Sequence, residues 1–270
     1  MNKKNRLDIV LTKRNLFDSR EKAKRAIMAG VVFVDNIKID KPGTLIPDDA
    51  EIEIKGNPLP YVSRGGLKLE KALKEFNILL HNKTALDIGA STGGFTDCML
   101  QNGVRKVFAI DVGYGQLAWS LRQDPRVIPM DRTNIRYVKK SDIGEEVDFA
   151  SIDVSFISLT LVLPVVKNLV KPSGEIVCLI KPQFEAGREH VGKKGIIKDE
   201  KVHKDVLQKI LSFSLQTGFD IKGLTFSPIK GPEGNIEYLA YLINKQSDSI
   251  ADYTELIEHV VQMSHQTLNK

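Results

Sequence analysis

Asp87-Ile88-Gly89-Ala90-Ser91-Thr92-Gly93-Gly94-Phe95-Thr96 follows the apolar run Ala85–Ile88 and opens a segment of helix length. Strand, glycine-rich turn and helix make the first unit of an open α/β sheet, since glycine admits a close backbone approach that any Cβ would block. Outward from this turn the same beat recurs. Apolar runs stand at Val107–Ile110, Val127–Pro129, Phe149–Ile152 and Ile176–Ile180, separated by helix-length segments, and predict a doubly wound α/β sheet. Ile221–Phe226 and Glu237–Leu242 close the series. The turn-rich piece Ser227–Asn235 between them is too short for a crossover helix, so this last pair is expected to be antiparallel. Upstream, Ser63 can cap a helix running to about Asn77, with Leu69, Ala72, Leu73 and Phe76 inward and Lys68 in its first turn. Downstream, Leu256, Ile257, Val260, Val261 and Leu268 fall at helical spacing and predict a final helix docked on the sheet.

The turn does not fit the dinucleotide pattern G-x-G-x-x-G, because Ala90 and Ser91 follow Gly89. Asp87, just before that glycine, would repel a pyrophosphate and suits the cationic aminoacid end of S-adenosylmethionine (SAM). Asp111 closes the second strand, placed for both ribose hydroxyls, and Asp131 follows the third, placed for an adenine amine. Ligands of open α/β sheets bind at the carboxyl ends of the strands, where all these acids stand. Two further charges sit at neighbouring strand ends: Asp153 after the fourth strand and Lys181 after the fifth. Lys68 precedes the sheet, and Glu237 begins the last strand. Singly each could be an ordinary surface charge; two lysines and two acids in this order are more particular.

The front of the chain differs in character. The 270 residues carry a net charge of +5, and residues 1–30 alone hold nine Lys/Arg against three acids, a local charge of +6. Such a segment is expected for a polyanion partner, its plain alternative being a solvated helix face. Arg6–Phe17 shows an approximate helical stripe, and Asp18-Ser19 can cap a second helix that stops at Gly30. Val31–Val34 and Ile37–Asp40 read as a hairpin about Asp35-Asn36, Pro42-Gly43 and Pro47-Asp48-Asp49 as turns, and Ala50–Lys55 as one more strand. Arg6-Leu7-Asp8, Ser19 through Ile27, Gly30, Val31, Val34 and Asp35-Asn36 together resemble the small α+β S-four-type (alpha-L) RNA-binding domain. Gly56-Asn57-Pro58-Leu59-Pro60 reads as a linker, giving an RNA-binding domain over 1–57, a linker over 58–62 and a catalytic domain over 63–270.

Lys68, Asp153, Lys181 and Glu237 match the Lys-Asp-Lys-Glu tetrad of FtsJ-like RNA ribose 2′-O-methyltransferases. With the runs Ser63–Lys68, Asp111-Val112-Gly113, Asp153-Val154-Ser155-Phe156 and Gly234-Asn235-Ile236-Glu237, the whole chain is similar to the TlyA family, often labelled haemolysin. That resemblance implies a seven-stranded class I SAM methyltransferase (Rossmann-like) domain that methylates cytidine 2′-hydroxyls of ribosomal RNA in the large subunit, and in some members the small one. The tetrad is the expected catalytic set, and Lys181 the candidate base. Burial and the Lys68 cation both disfavour its ammonium form, while Asp153 and Glu237 oppose that effect. A mechanism by alignment alone, without a true base, is the alternative. The expected cofactor set is Asp87, Gly89, Ala90, Ser91, Thr92, Gly93, Gly94, Phe95, Asp111, Val112, Asp131 and Asp153; the expected RNA-binding set is Arg6, Arg14, Arg20, Lys22, Lys24, Arg25 and Arg64. Glu185–Asp199, with Gly187, Gly192, Gly195, Arg188, Lys193, Lys194 and Lys198, reads either as a solvated loop or as a mobile basic lid.

The two cysteines, Cys98 and Cys178, lack the spacing of a zinc site or a disulfide framework, so no metal is expected and a reducing cytosolic compartment is. Leu7–Leu11 is too short and too interrupted for a signal-peptide core, and Leu161–Val166 is far below the ~20 residues that span a bilayer. An inactive ribosome-assembly factor, a membrane-active haemolysin and a base methyltransferase are the rival functions. Oligomeric state is not legible. Deleting residues 1–57 is expected to leave SAM binding intact while abolishing methylation of ribosomal subunits at physiological salt. Calorimetry with SAM and methyl transfer to intact subunits check the two halves of that expectation.

Overall fold

The structure is a computed structural model that describes residues 4–17, 19–55, 59–187, 190–192, 195–246 and 252–269. It divides into two compact units, Met1–Arg64 and Gly65–Lys270.

In the first unit the order is β1 (Lys4–Arg6), α1 (Leu7–Lys13), α2 (Arg20–Met28), β2 (Val32–Val34), β3 (Ile37–Lys38), β4 (Leu45–Pro47) and β5 (Ile52–Ile54). Leu7, Leu11, Ala23, Ala26, Ile27 and Val32 have no exposed surface and form its core. The Ser19 hydroxyl accepts from the Lys22 amide at 3.2 Å, the N-cap expected for α2. Asp35 and Asn36 turn the β2–β3 hairpin with φ of 49° and 64°, the left-handed pair that a two-residue loop requires. One expectation fails: Arg6–Phe17 is not a single helix. Lys4–Arg6 is extended and pairs antiparallel with Leu45–Pro47, so the helix begins only at Leu7. Pro47, which marked a turn in the sequence, ends the partner strand opposite Lys4.

The second unit continues with α3 (Gly65–Glu75), β6 (Thr84–Ile88), α4 (Gly94–Gln101), β7 (Lys106–Ile110), α5 (Trp119–Arg122), β8 (Val127–Met130), α6 (Lys140–Ile143) and β9 (Val147–Ile152). It closes with α7 (Leu163–Leu169), β10 (Val170–Ile180), α8 (Pro182–Glu185), α9 (Glu200–Thr217), β11 (Asp220–Phe226), β12 (Tyr238–Ile243) and α10 (Thr254–Leu268). The seven strands lie in the order β11-β12-β10-β9-β6-β7-β8. β8, β7, β6, β9 and β10 are mutually parallel, while β12 runs antiparallel to both β10 and β11. β12 thereby brings its amino end to the edge where the parallel strands end. β10 is longer than its apolar run predicts, because a register shift between Val170 and Glu175, with Ser173 at φ 60°, carries pairing across an irregular start. α3 begins one residue later and ends two residues earlier than the sequence suggests. Among the described residues no helix is long and apolar enough to cross a membrane.

One buried polar cluster ties α9 to β12 and, through the Tyr238 and Ser264 hydroxyls 3.1 Å apart, α10 to the same strand. His203, with no exposed surface, donates from Nε2 to the Ile197 carbonyl at 3.1 Å and accepts at Nδ1 from the Tyr238 hydroxyl at 2.6 Å. Burial pushes the imidazole down to about 4, so it is neutral when folded. A histidine so depressed contributes stability above its unfolded value near 6.5, and that contribution disappears as pH falls toward 4. Thermal melts from pH 7 to 4.5 are expected to show wild type losing on the order of 3 kcal/mol more than His203→Gln over this window. Parallel pH dependences in the two proteins would remove His203 as the cause.

Candidate active site

The turn after β6 is built around its glycines, though the crowding atoms differ from those the sequence suggests. Gly89 has φ 84°, and a Cβ there would lie 2.3 Å from the Asp153 carbonyl oxygen. Gly93 has φ 94°, and its Cβ would meet the Leu121 side chain at 2.3 Å. Both glycines therefore answer to the fold's own close approaches: the end of β9 in one case and the α5 leucine in the other. Gly94, Phe95 and Thr96 already belong to α4 and are buried, whereas Ser91 and Thr92 are exposed and Ala90 is buried between.

Asp87 lies beneath this turn rather than in its mouth. It has no exposed surface, and its two carboxyl oxygens accept from the Thr96 hydroxyl at 2.5 Å and the Ser151 hydroxyl at 3.2 Å. Burial is the main reason its carboxyl is pushed up to about 6, with Asp153 adding repulsion against the two hydroxyl bonds. Asp111 stands at the end of β7 and accepts from the Ser91 amide and the Gly113 amide, each at 2.7 Å. It ties the turn to the next strand. Asp131, beyond β8, is gripped by Arg122 at 2.7 and 3.0 Å. Asp111 and Asp131 stay partly exposed, and Val112 is 70% exposed.

The four tetrad residues meet as one line of alternating charge. Glu237 takes Lys68 Nζ at 2.6 Å, Lys68 lies 3.9 Å from one Asp153 oxygen, and the other Asp153 oxygen holds Lys181 Nζ at 2.6 Å. Their side chains are 1%, 9%, 20% and 10% exposed from Glu237 to Lys181, so each charge removed from water has an opposite partner. Each comes from a different element: α3, the ends of β9 and β10, and the approach to β12. Gly231 makes room for Glu237, since a Cβ there would approach its Oε1 to 2.6 Å.

Several residues beside the tetrad were not singled out by the sequence. The Ser155 hydroxyl accepts from Lys181 Nζ at 2.9 Å. Phe156, at φ 63° and 91% exposed, lies 4.9 Å from the Phe184 ring. Glu185 accepts from the Ser158 hydroxyl at 2.6 Å and the Leu159 amide at 2.7 Å, and burial pushes its carboxyl up. That carboxyl fastens the loop after β9 to the end of α8. Signals for Ser155 and Phe156 existed only as members of the run Asp153–Phe156; neither a hydroxyl pointing at a lysine nor a positive φ is written in residue type.

Of the basic segment after Glu185, Arg188, Lys193 and Lys194 lie outside the described residues. Its end is anchored: Asn235, 2% exposed, donates to the Gly195 carbonyl at 2.8 Å and accepts from the Ile197 amide at 3.0 Å. Within the first unit, Arg6 and Arg20 both grip Asp8, at 3.0 and 2.9 Å, and Asp8 has no exposed surface. Burial raises that carboxyl, but the two guanidinium bonds outweigh it and hold the group below its usual range. Arg14 turns to the backbone, donating to the Ala50 carbonyl at 2.7 Å and to that of Asp48. It braces β4 to β5. Arg20, Lys22 and Arg64 are exposed, and Lys24 and Arg25 half-buried. Among the described residues no cluster of His, Cys, Asp or Glu could hold a metal ion.

Comparison with known proteins agrees with this layout. The model of the FtsJ-like methyltransferase family matches residues 61–243, and that of the S4 domain matches residues 5–52. "Putative rRNA methyltransferase YqxC" of Bacillus subtilis is 55% identical over 99% of this chain and 96% of its own length. "16S/23S rRNA (cytidine-2'-O)-methyltransferase TlyA" of Mycobacterium tuberculosis is 41% identical over 90% of this chain and 91% of its own. A solved structure from Streptococcus thermophilus, "Putative hemolysin", is 48% identical, covers 100% of this chain and 98% of its own, and superposes with a TM-score of 0.79. The chain is a member of the FtsJ-like methyltransferase family, with an S4 domain at its front.

Proposed function

We propose that the protein transfers the methyl group of SAM to the ribose 2′-hydroxyl of a cytidine in ribosomal RNA, acting in the cytosol on ribosomal subunits. The observation that carries this is Lys181 held between Asp153 and Ser155 at the carboxyl edge of the sheet, with Lys68 and Glu237 behind it. The cytidine and the ribosomal RNA come from the names of the relatives; the large subunit is the expected substrate, and the small subunit the second.

The residues present fit SAM. Asp111 and Asp131 are partly exposed at successive strand ends, and each of their carboxylate oxygens keeps a lone pair beyond the bonds it already accepts. They would take the ribose hydroxyls and the adenine amine, with Val112 beside the base. Gly89 through Phe95 and Asp153 would line the aminoacid end, and Asp87 would act from beneath by holding the turn through Thr96 and Ser151. When bound, SAM supplies an electrophilic methyl on a sulfonium sulfur. The chain supplies the rest. Lys181 would accept the 2′-hydroxyl proton at Nζ, leaving O2′ free to receive the methyl group. Asp153 orients Lys181 at 2.6 Å, and its other oxygen lies 3.9 Å from Lys68, so one carboxylate sets the position of both amines. In the first unit Arg6, Arg20, Lys22, Lys24, Arg25 and Arg64 would supply salt-sensitive phosphate contacts, with Arg14 kept for the fold.

Mapping ribose methylation on ribosomal RNA from cells with and without the protein tests the reading. A cytidine 2′-O-methyl mark that vanishes with the protein supports it; unchanged ribose methylation in both subunits overturns it. For the mechanism, Lys181→Arg keeps charge and donors but does not deprotonate in a protein. It is expected to be ~10²–10⁴-fold slower than wild type, close to Lys181→Ala, with SAM affinity retained in both. Single-turnover methylation by Lys181→Arg within a few fold of wild type would exclude Lys181 as the base and favour alignment alone.

A further inference from the structure

We infer that Ser155 is a positioning residue that aims the lone pair of Lys181 at the substrate hydroxyl; the inference rests on the ribose-methylation reading. The geometry is a matter of counting hydrogens. A lysine ammonium has three N–H bonds and no acceptor capacity. One of those on Lys181 points to Asp153 Oδ1 at 2.6 Å and another to Ser155 Oγ at 2.9 Å. When the amine is neutral it keeps two N–H bonds and one lone pair on the same tetrahedron. Asp153, an ionised carboxylate, can only accept. Ser155 Oγ accepts the other N–H in the structure, and while it does so both N–H bonds are taken and the lone pair is left along the third direction. Without the hydroxyl, only Asp153 restrains the amine, and rotation about Cε–Nζ lets the lone pair occupy either of two directions.

Ser155 is suited to this task and to little else in the fold. It is exposed, whereas the Lys181 side chain is only 10% exposed. It follows β9 two residues after Asp153, so one loop delivers both acceptors to the same nitrogen. The loop itself is fastened elsewhere, through Glu185 to Ser158 and Leu159. Loss of the Ser155 hydroxyl therefore removes a restraint on Lys181 and leaves the loop its anchor. A net hydrogen bond of this kind corresponds to a change of about 3–10-fold in rate.

The test uses the full-length protein and intact ribosomal subunits at saturating SAM. Ser155→Ala is expected to slow single-turnover methylation about 3–10-fold, with KM for subunits and SAM affinity unchanged, and Ser155→Thr to restore most of the rate. In the background of Lys181→Ala, the Ser155→Ala change is expected to add no further loss, since the two act as one unit. Wild-type speed in Ser155→Ala would overturn the inference, as would a loss of equal size in the Lys181→Ala background or a loss expressed in KM. Nucleoside mass spectrometry of the same product keeps the two ideas apart. Methylation found on the base would sink the ribose reading, whatever Ser155→Ala does to the rate.

Discussion

Two charges withdrawn from water, Lys68 and Glu237, face each other at 2.6 Å with 9% and 1% of their side chains exposed. Each would be costly to bury alone, and leaving one without the other is worth roughly 3–5 kcal/mol of destabilisation. A second pair, Asp153 and Lys181, closes beside it at 2.6 Å, and the 3.9 Å contact between Lys68 and Asp153 joins the two. Continuing the line through Asp153 to Lys181 leaves every charge with an opposite neighbour. Satisfying this line requires α3, the ends of β9 and β10, and the approach to β12 to meet at one place. The antiparallel insertion of β12 between β10 and β11 brings Glu237 there. Electrostatic satisfaction and sheet topology thus impose the same arrangement.

Asp153 joins this line to the rest of the site. Its side chain spans both lysines, while its carbonyl oxygen occupies the space that a Cβ on Gly89 would need. The glycine turn and the charged line are therefore seated on one residue, and neither can shift without the other. Asp87 reinforces the seat from below. Its carboxyl, pushed up to about 6 by burial, bonds both the first turn of α4 and β9 through Thr96 and Ser151.

Much of this was legible in sequence because it is periodic. The five parallel strands, the closing antiparallel pair and the final helix all follow from apolar spacing, and Ser19 and Asp35-Asn36 from turn and cap chemistry. The tetrad was legible as residue types at strand ends. What could not be read depends on partners remote in sequence. The pairing of β1 with β4 joins Lys4–Arg6 to Leu45–Pro47, and neither three-residue run carries a signal by itself. Arg14 counted as one more cation, although its guanidinium is committed to the carbonyls of Asp48 and Ala50. Asp87 looked like a ligand-facing acid because residue type gives the strand end but not the side of the turn.

The link between Lys68 and Glu237 spans 169 positions, nearly the whole catalytic unit. Closing so long a loop is slow and entropically costly, and little rewards it until the intervening strands are in place. During synthesis, Lys68 emerges long before its carboxylate exists, as do Asp153 and Lys181. A chain interrupted just before Glu237 would have all five parallel strands but neither β12 nor the carboxylate that Lys68 meets at 2.6 Å. The contact that completes the tetrad is therefore also among the last that the growing chain can make.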